Sequence, residues 1–309
     1  MRVGQRSSGS WALRAVACCA AALWMAMGAA QAAGMESGAG SSAALSARYA
    51  LLKEGLGRNQ FNRPLHLESS EGKTGVRGEI FALVNYPFAT AGAALNTPAQ
   101  WCEVLILHLN TKYCRPSADG RGAGLQLFIG KKFDQPVDDA HKLEFDYRVA
   151  ARTADFLQVK LTANDGPLGT SDYRIVLEAT PAEEGKTFIR LAYSYSYGLL
   201  GQLAMQTYLG TVARSKVGFT QVDGGTDSPP RSVGGMRGLV ERNTMRYYLA
   251  IESYLGALST APVARVEKSL RDWFAATEAY PRQLHEMEQG EYLAMKRKEY
   301  SRQQAALVN

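Results

Sequence analysis

The chain is 309 residues long, 46% hydrophobic and 21% charged, which is enough apolar material for one large domain or two small ones. That excludes a disordered chain, a collagen-like repeat and a disulfide-dense mini-protein. The formal charge is +6, but Arg2, Arg6 and Arg14 stand in an acid-free stretch; setting those three of 35 aside leaves 32 basic against 29 acidic residues, +3, and the charge argument for a nucleic-acid partner goes with them.

Residues 1–32 have the layout of a secretory signal peptide: the three arginines, an apolar run from Ala15 to Ala29, then the small-x-small site Ala30-Gln31-Ala32. Cleavage near Ala32 predicts a periplasmic or secreted protein. The competing reading is an uncleaved anchor, for which a run of about 15 residues is short. Cys18 and Cys19 lie early in the run without a lipobox, and there is no Arg-Arg pair for twin-arginine export. Residues 33–60 read as a Gly/Ser/Ala-rich leader followed by a short amphipathic helix over 43–60.

From Leu65 the pattern becomes strand-like. Leu65–Ser70 and Val76–Tyr86 flank the hairpin signal Glu71-Gly72-Lys73, and Pro87 opens a helix to about Leu95. Thr97 is placed as an N-cap, with Pro98 in the first turn of the next helix. After signal cleavage two cysteines remain, Cys102 and Cys114, the number for one disulfide in an oxidising compartment. A straight strand between them would span roughly 40 Å, against about 5.5 Å between bridged Cα atoms, so the chain must reverse. A helix through Trp101 and Leu105 that ends by Asn110, with Thr111–Cys114 returning as a strand, supplies that reversal. The alternative is a pair of buried free thiols.

Five period-2 segments follow. Leu125/Leu127/Ile129, Leu143/Phe145/Tyr147/Val149, Leu157/Val159/Leu161, Tyr173/Ile175/Leu177 and Ile189/Leu191/Tyr193/Tyr195/Tyr197 each hold one face, with polar residues such as Arg190 on the other. This predicts an antiparallel sheet with one covered and one wet face. Leu199–Thr211 reads as helix, Val217–Val222 as a short strand and Gly224–Gly235 as a loop. Met236–Leu258 reads as a long helix with a wide apolar stripe. Pro262–Ala279 and Leu284–Ala306 complete the chain as helices.

The order of these elements, together with Gly78-Glu79-Ile80-Phe81-Ala82-Leu83-Val84-Asn85-Tyr86-Pro87-Phe88, the Trp101-Cys102-Glu103 stretch and the helix over 236–258, resembles START-type lipid-binding domains of the SRPBCC superfamily. The resemblance covers roughly residues 60–258. It implies an α+β helix-grip fold, a curved antiparallel sheet wrapped on a long C-terminal helix, over residues 61–260, with an extra C-terminal helical extension over 261–309. It also implies a cavity between sheet and helix and a hydrophobic small molecule or lipid within it. Some members are cyclases or hydrolases, so the fold leaves activity open.

The candidate ligand-binding residues are Trp101, Tyr147, Tyr193, Tyr195, Tyr197, Arg242, Arg246 and Tyr247. Tyrosines on one strand face suit a cavity wall for an amphipathic ligand, or an ordinary sheet core. Arg242 and Arg246, at i,i+4, suit an anionic headgroup or a solvated face. An enzyme in the same cavity would need an acid–base pair such as Glu241 with a tyrosine or His108. A third reading is a cell-envelope assembly protein with a filled core. His66, His108, His141 and His285 are scattered, and none pairs with another His or Cys at metal-ligand spacing. No Gly-x-Ser-x-Gly occurs, and Gly234-Gly235-Met236-Arg237-Gly238 lacks the marks of a phosphate loop. No metal and no cofactor are expected. The basic stretch Lys296–Arg302 reads as a solvated helix or a peripheral membrane contact.

Overall fold

The period-2 segments build one antiparallel sheet of eight strands: β1 (Leu65–Glu71), β2 (Gly75–Val84), β3 (Thr111–Asp119), β4 (Gly122–Ile129), β5 (His141–Arg152), β6 (Leu157–Asp165), β7 (Thr170–Pro181) and β8 (Thr187–Tyr197). The computed structural model describes Met1 and residues 40–119, 122–198, 216–222 and 231–308. The signal segment, the helix expected over 199–211 and the Pro229-Pro230 loop lie outside the described residues. The strand order is β1-β2-β8-β7-β6-β5-β4-β3. Strands β3 to β8 run as a meander, and β8 returns to pair with β2, Tyr193 opposite Gly78 and Leu191 opposite Ile80.

Seven helices accompany the sheet among the described residues: α1 (Ser42–Leu56), α2 (Phe88–Ala94), α3 (Pro98–Leu105), α4 (Gly235–Ala257), α5 (Pro262–Glu278), α6 (Pro281–Leu284) and α7 (Gln289–Val308). The α3 start is a capping box. Thr97 Oγ1 accepts the Gln100 N–H, and Gln100 Oε1 accepts the Thr97 N–H. Helix, reversal and β3 then bring Cys102 and Cys114 together, with Cα atoms 5.2 Å apart and a disulfide between them.

Helix α4 lies on the inner face of the sheet, against β1, β2 and β8, and α5 covers its other side. Helix and sheet touch at Gly78. A Cβ there would overlap Thr244 Oγ1 and come within 3.3 Å of the Val240 carbonyl oxygen, so glycine lets helix and strand touch. The fold is therefore α+β in the helix-grip arrangement, with the hydrophobic core between sheet and α4.

Three expectations are corrected. The outer face is not uniformly wet. Helix α1 lies over it, with Tyr49 on Phe188 at 4.9 Å and Arg48 over the Phe81 ring at 4.8 Å. Beside it Arg190, 4% exposed, donates to Glu178 and Glu79 at 2.7 Å each, and Gln158 donates to Glu178. The region after Pro281 is two helices, not one, broken at residues 285–288. Finally, the stretch from Lys296 does not form a free basic face. Lys296, Glu299 and Lys112 of β3 are all fully buried, with Glu299 accepting from Lys112 at 2.9 Å and from Lys296 at 2.6 Å. Arg297 and Lys298 pair with Glu267 and Asp134.

The short strand expected over 217–222 reduces to β9 (Gln221–Val222), paired with β10 (Arg231–Ser232). No helix of the described residues is long and apolar enough to cross a membrane.

Candidate functional site

Because α4 touches the sheet at Gly78, the next turn of the helix lies over the neighbouring tyrosine. Tyr247, three residues past Thr244, meets Tyr193 edge to face at 5.2 Å. Its ring also stacks on His108 at 5.0 Å, and His108 is followed by Trp273 of α5 at 6.5 Å. On the sheet the series continues from Tyr193 to Tyr195 at 5.7 Å, and Tyr195 stacks on Tyr173 at 5.3 Å. A ladder of aromatic rings thus runs from α5 through the interior to β7 and β8. Tyr147 of β5 sits on the same inner face, in the cross-strand row Tyr147–Leu161–Ile175–Tyr193.

Two of the expected site residues have other duties. Tyr197 donates its hydroxyl to the Gly72 carbonyl at 3.2 Å and fastens the β1–β2 hairpin. Trp101 is buried in the core on α3, its indole N–H donated to the Leu95 carbonyl at 3.0 Å.

The ladder carries polar atoms that its neighbours do not satisfy. The hydroxyls of Tyr147 and Tyr195 and Nε2 of His108 are buried with no hydrogen-bond partner. His108 Nδ1 accepts the Asn110 backbone N–H at 3.2 Å, so the neutral ring carries its proton on Nε2, which is a donor. Burial first, and then the charges of Arg246, Lys296, Lys132 and Lys112, hold this imidazole well below its ordinary pKa, in the neutral form. Burial pushes the phenols the other way: Tyr147 up to about 12, and Tyr193, Tyr195 and Tyr247 further. None of them ionises near neutral pH.

Arg242 and Arg246 do not form a solvated face; each is 2% exposed. Arg246 donates to Glu286 at 2.7 Å and to the Leu284 carbonyl at 3.3 Å, and its own carbonyl accepts the Trp273 indole N–H. Lys132 reaches Glu286 at 2.7 Å, and Lys216 lies 3.8 Å from it. Burial raises the Glu286 pKa, but Arg246, Lys132 and Lys216 outweigh it and hold the carboxyl below its usual range.

Glu241, considered above as an acid or base, is fully buried and saturated. It accepts from the backbone N–H groups of Phe219 (2.6 Å) and Thr220 (2.9 Å), from the Thr220 hydroxyl (2.6 Å) and from the Ser69 hydroxyl. It ties residues 219–220 and β1 to α4. It shares no hydrogen bond with His108, so the structure does not assemble that pair.

The ladder tyrosines do not line either of the following two cavities. One, of about 180 Å³, lies between α3, α4, α5 and α7, with Glu103, Leu107, Tyr254, Leu258, Leu270 and Tyr300 on its wall. The other, of about 170 Å³, lies beside the disulfide, between Glu103, Cys114 and Gln303. Burial pushes the Glu103 carboxyl up, against hydrogen bonds from Tyr300, Gln304 and Gln303. No group of three or more His, Cys, Asp or Glu among the described residues is placed to hold a metal ion.

Sequence reasoning missed His108 as a partner of Tyr247, because the two are far apart in the chain and no motif joins them. It also missed Lys132, which lies between the strand-like segments, and Glu286, which lies in the stretch read as a helix over 284–306.

No protein-family model matches the sequence, and no curated protein matches it. Among solved structures, norcoclaurine synthase from Thalictrum flavum is 15% identical over 47% of this chain and 87% of its own, with a TM-score of 0.32. Human StAR-related lipid transfer protein 5 is 10% identical over 55% of this chain and 89% of its own, with a TM-score of 0.30. A conserved Enterococcus faecalis protein of unknown function is 8% identical over 77% of this chain and 91% of its own, also at 0.30. Likeness at this level fixes neither activity nor ligand; the fold assignment rests on the strand order and on the helix the sheet holds.

Proposed function

We propose that this protein is an exported binding protein that holds a hydrophobic or amphipathic molecule between the inner face of the sheet and α4. The observation that carries the reading is the pair of buried, unpartnered hydroxyls of Tyr147 and Tyr195 on that face. An unpaired buried hydroxyl costs on the order of 1–3 kcal/mol, and an amphipathic ligand with one polar group against an apolar body would satisfy it. The signal layout of residues 1–32 and the Cys102–Cys114 disulfide support export, since disulfides persist in oxidising compartments.

The reading makes a structural demand. Tyr193 and Tyr247 meet edge to face at 5.2 Å, so a ligand seated between them parts the two rings. The Glu241 carboxylate, named for the enzyme alternative, is already engaged by backbone and hydroxyl donors.

Native mass spectrometry of the mature protein from its own host, followed by organic extraction, tests the proposal. A stoichiometric amphipathic molecule that leaves on extraction is the expected result. A clean apo mass under gentle conditions contradicts a tight binder.

A further inference from the structure

We propose that the cavity of about 180 Å³ between α3, α4, α5 and α7 is a binding site for a small aliphatic amine, its ammonium paired with the Glu103 carboxylate. The site lies in another part of the fold from the tyrosine ladder. It stands whether or not a ligand enters between the sheet and α4.

The wall selects the body of the ligand. Ile106, Leu107 and Leu270 are each 1% exposed and all line the hollow, with Leu258 and Val266 beside them. Apolar atoms that face a void forgo their dispersion contacts on that side, and an apolar guest restores them. An engineered apolar cavity of about 150 Å³ takes up benzene, so a space of this order holds one six-membered ring or a branched chain of similar size.

Glu103 selects the head. It lines both this cavity and the one of about 170 Å³ beside the disulfide. Gln303 and Gln304 of α7 reach its Oε1 only at 3.5 and 3.4 Å, and the Tyr300 hydroxyl is its third donor. Among the described residues it forms no ion pair. Neutral donors leave its negative charge uncompensated, and a carboxylate taken out of water without a cation is costly. Hydrogen bonds between two ionised groups are about twice as strong as neutral ones. An ammonium on an aliphatic body therefore supplies what both the carboxylate and the wall lack. A neutral alcohol supplies only the second, and an anionic head meets repulsion at Glu103. Arg265 is the cation on the same wall, and its Nε donates to the Thr260 carbonyl at 3.0 Å. It does not line the cavity beside the disulfide, so Glu103 is the charged group that the two spaces share.

The test is calorimetric titration of the full mature chain with cyclohexylamine, cyclohexanol and cyclohexanecarboxylate, which share one ring and differ in the charge of the head. The variants are Glu103→Gln, which keeps the shape and an acceptor, and Ser269→Phe, which fills the cavity from α5. Cyclohexylamine is expected to bind at least about tenfold tighter than cyclohexanol, with cyclohexanecarboxylate weakest. Glu103→Gln is expected to lower the cyclohexylamine affinity about tenfold and leave cyclohexanol unchanged. The Tm of that variant without ligand should hold or rise, since it removes a carboxylate that lacks a cation; this shows it is folded. Folded Ser269→Phe, checked by circular dichroism, is expected to bind none of the three. Equal binding of amine and alcohol, or an amine affinity that Glu103→Gln leaves unchanged, overturns the ammonium seat. Tightest binding of the carboxylate overturns it in favour of Arg265. Amine binding that survives in folded Ser269→Phe overturns the assignment to this cavity. No binding of any probe overturns the site, and leaves the reading of the sheet face as it stands.

Discussion

At the scale of single residues, the interior is dominated by phenols that are costly to ionise. Burial raises the pKa of Tyr193, Tyr247, Tyr248 and Tyr292 far above the ordinary value near 10. In the unfolded chain the same groups lose their protons from about pH 10 upward, so the unfolded state then binds fewer protons than the folded one. The stability these phenols contribute is fully present below pH 10 and is lost as pH rises beyond it. Titration followed by phenolate absorbance and circular dichroism together should show the buried tyrosines ionising in step with loss of tertiary signal. Smooth ionisation of every tyrosine with the fold intact would show that these rings are not sealed in the interior. The tyrosine line itself was legible in the sequence, because period-2 spacing on β8 fixes which side chains share a face. The partners of that line were not. His108 and Tyr247 are 139 positions apart by number, and only tertiary packing brings them together.

At the scale of elements, the strands were legible because one face of each is apolar and the other polar, and the α3 start because Thr97, Pro98 and Gln100 are local signals. The second cover was not legible. Arg190 reads as solvent-facing because its partners, Glu178 and Glu79, stand 12 and 111 residues away. Helix α7 reads as solvated because the partner of its Glu299, Lys112, is 187 residues away. Periodicity sees polarity but not pairing. Two variants test how these elements are held. Glu299→Gln removes the carboxylate between two fully buried lysines and should cost about 3–5 kcal/mol in urea unfolding, the cost of leaving buried charge unpaired. A loss below about 1 kcal/mol would mean that α7 is not seated on β3 as described. Gly78→Ala pushes Thr244 off the sheet and should cost about 1–3 kcal/mol, with part of that loss restored by the second change Thr244→Ala. Additive losses in the double variant would contradict the close approach.

At the scale of the whole molecule, residues 40–309 cluster into one compact unit, so α1, the sheet, α4 and the C-terminal helices share one fate on unfolding. The disulfide lies where three parts of it meet: Cys102 is on α3, Cys114 is on β3, and the Cys114 backbone N–H is donated to Gln303 of α7 at 3.1 Å. Its loop is short, with a sequence separation of 12, so its removal by Cys102→Ala/Cys114→Ala should cost about 3 kcal/mol and lower the Tm. An unchanged Tm in the double variant would show that the bridge adds nothing to a unit already closed by packing. The rival location for a ligand is the cavity of about 180 Å³ near Glu103 and Tyr254. Photo-crosslinking of a diazirine-bearing laurate, with adducts mapped by peptide mass spectrometry, separates the two most directly. Adducts are expected on β8 and α4, at Tyr193, Tyr195 and Tyr247. Adducts confined to the wall of the Glu103 cavity, or none that excess laurate competes away, would contradict that placement.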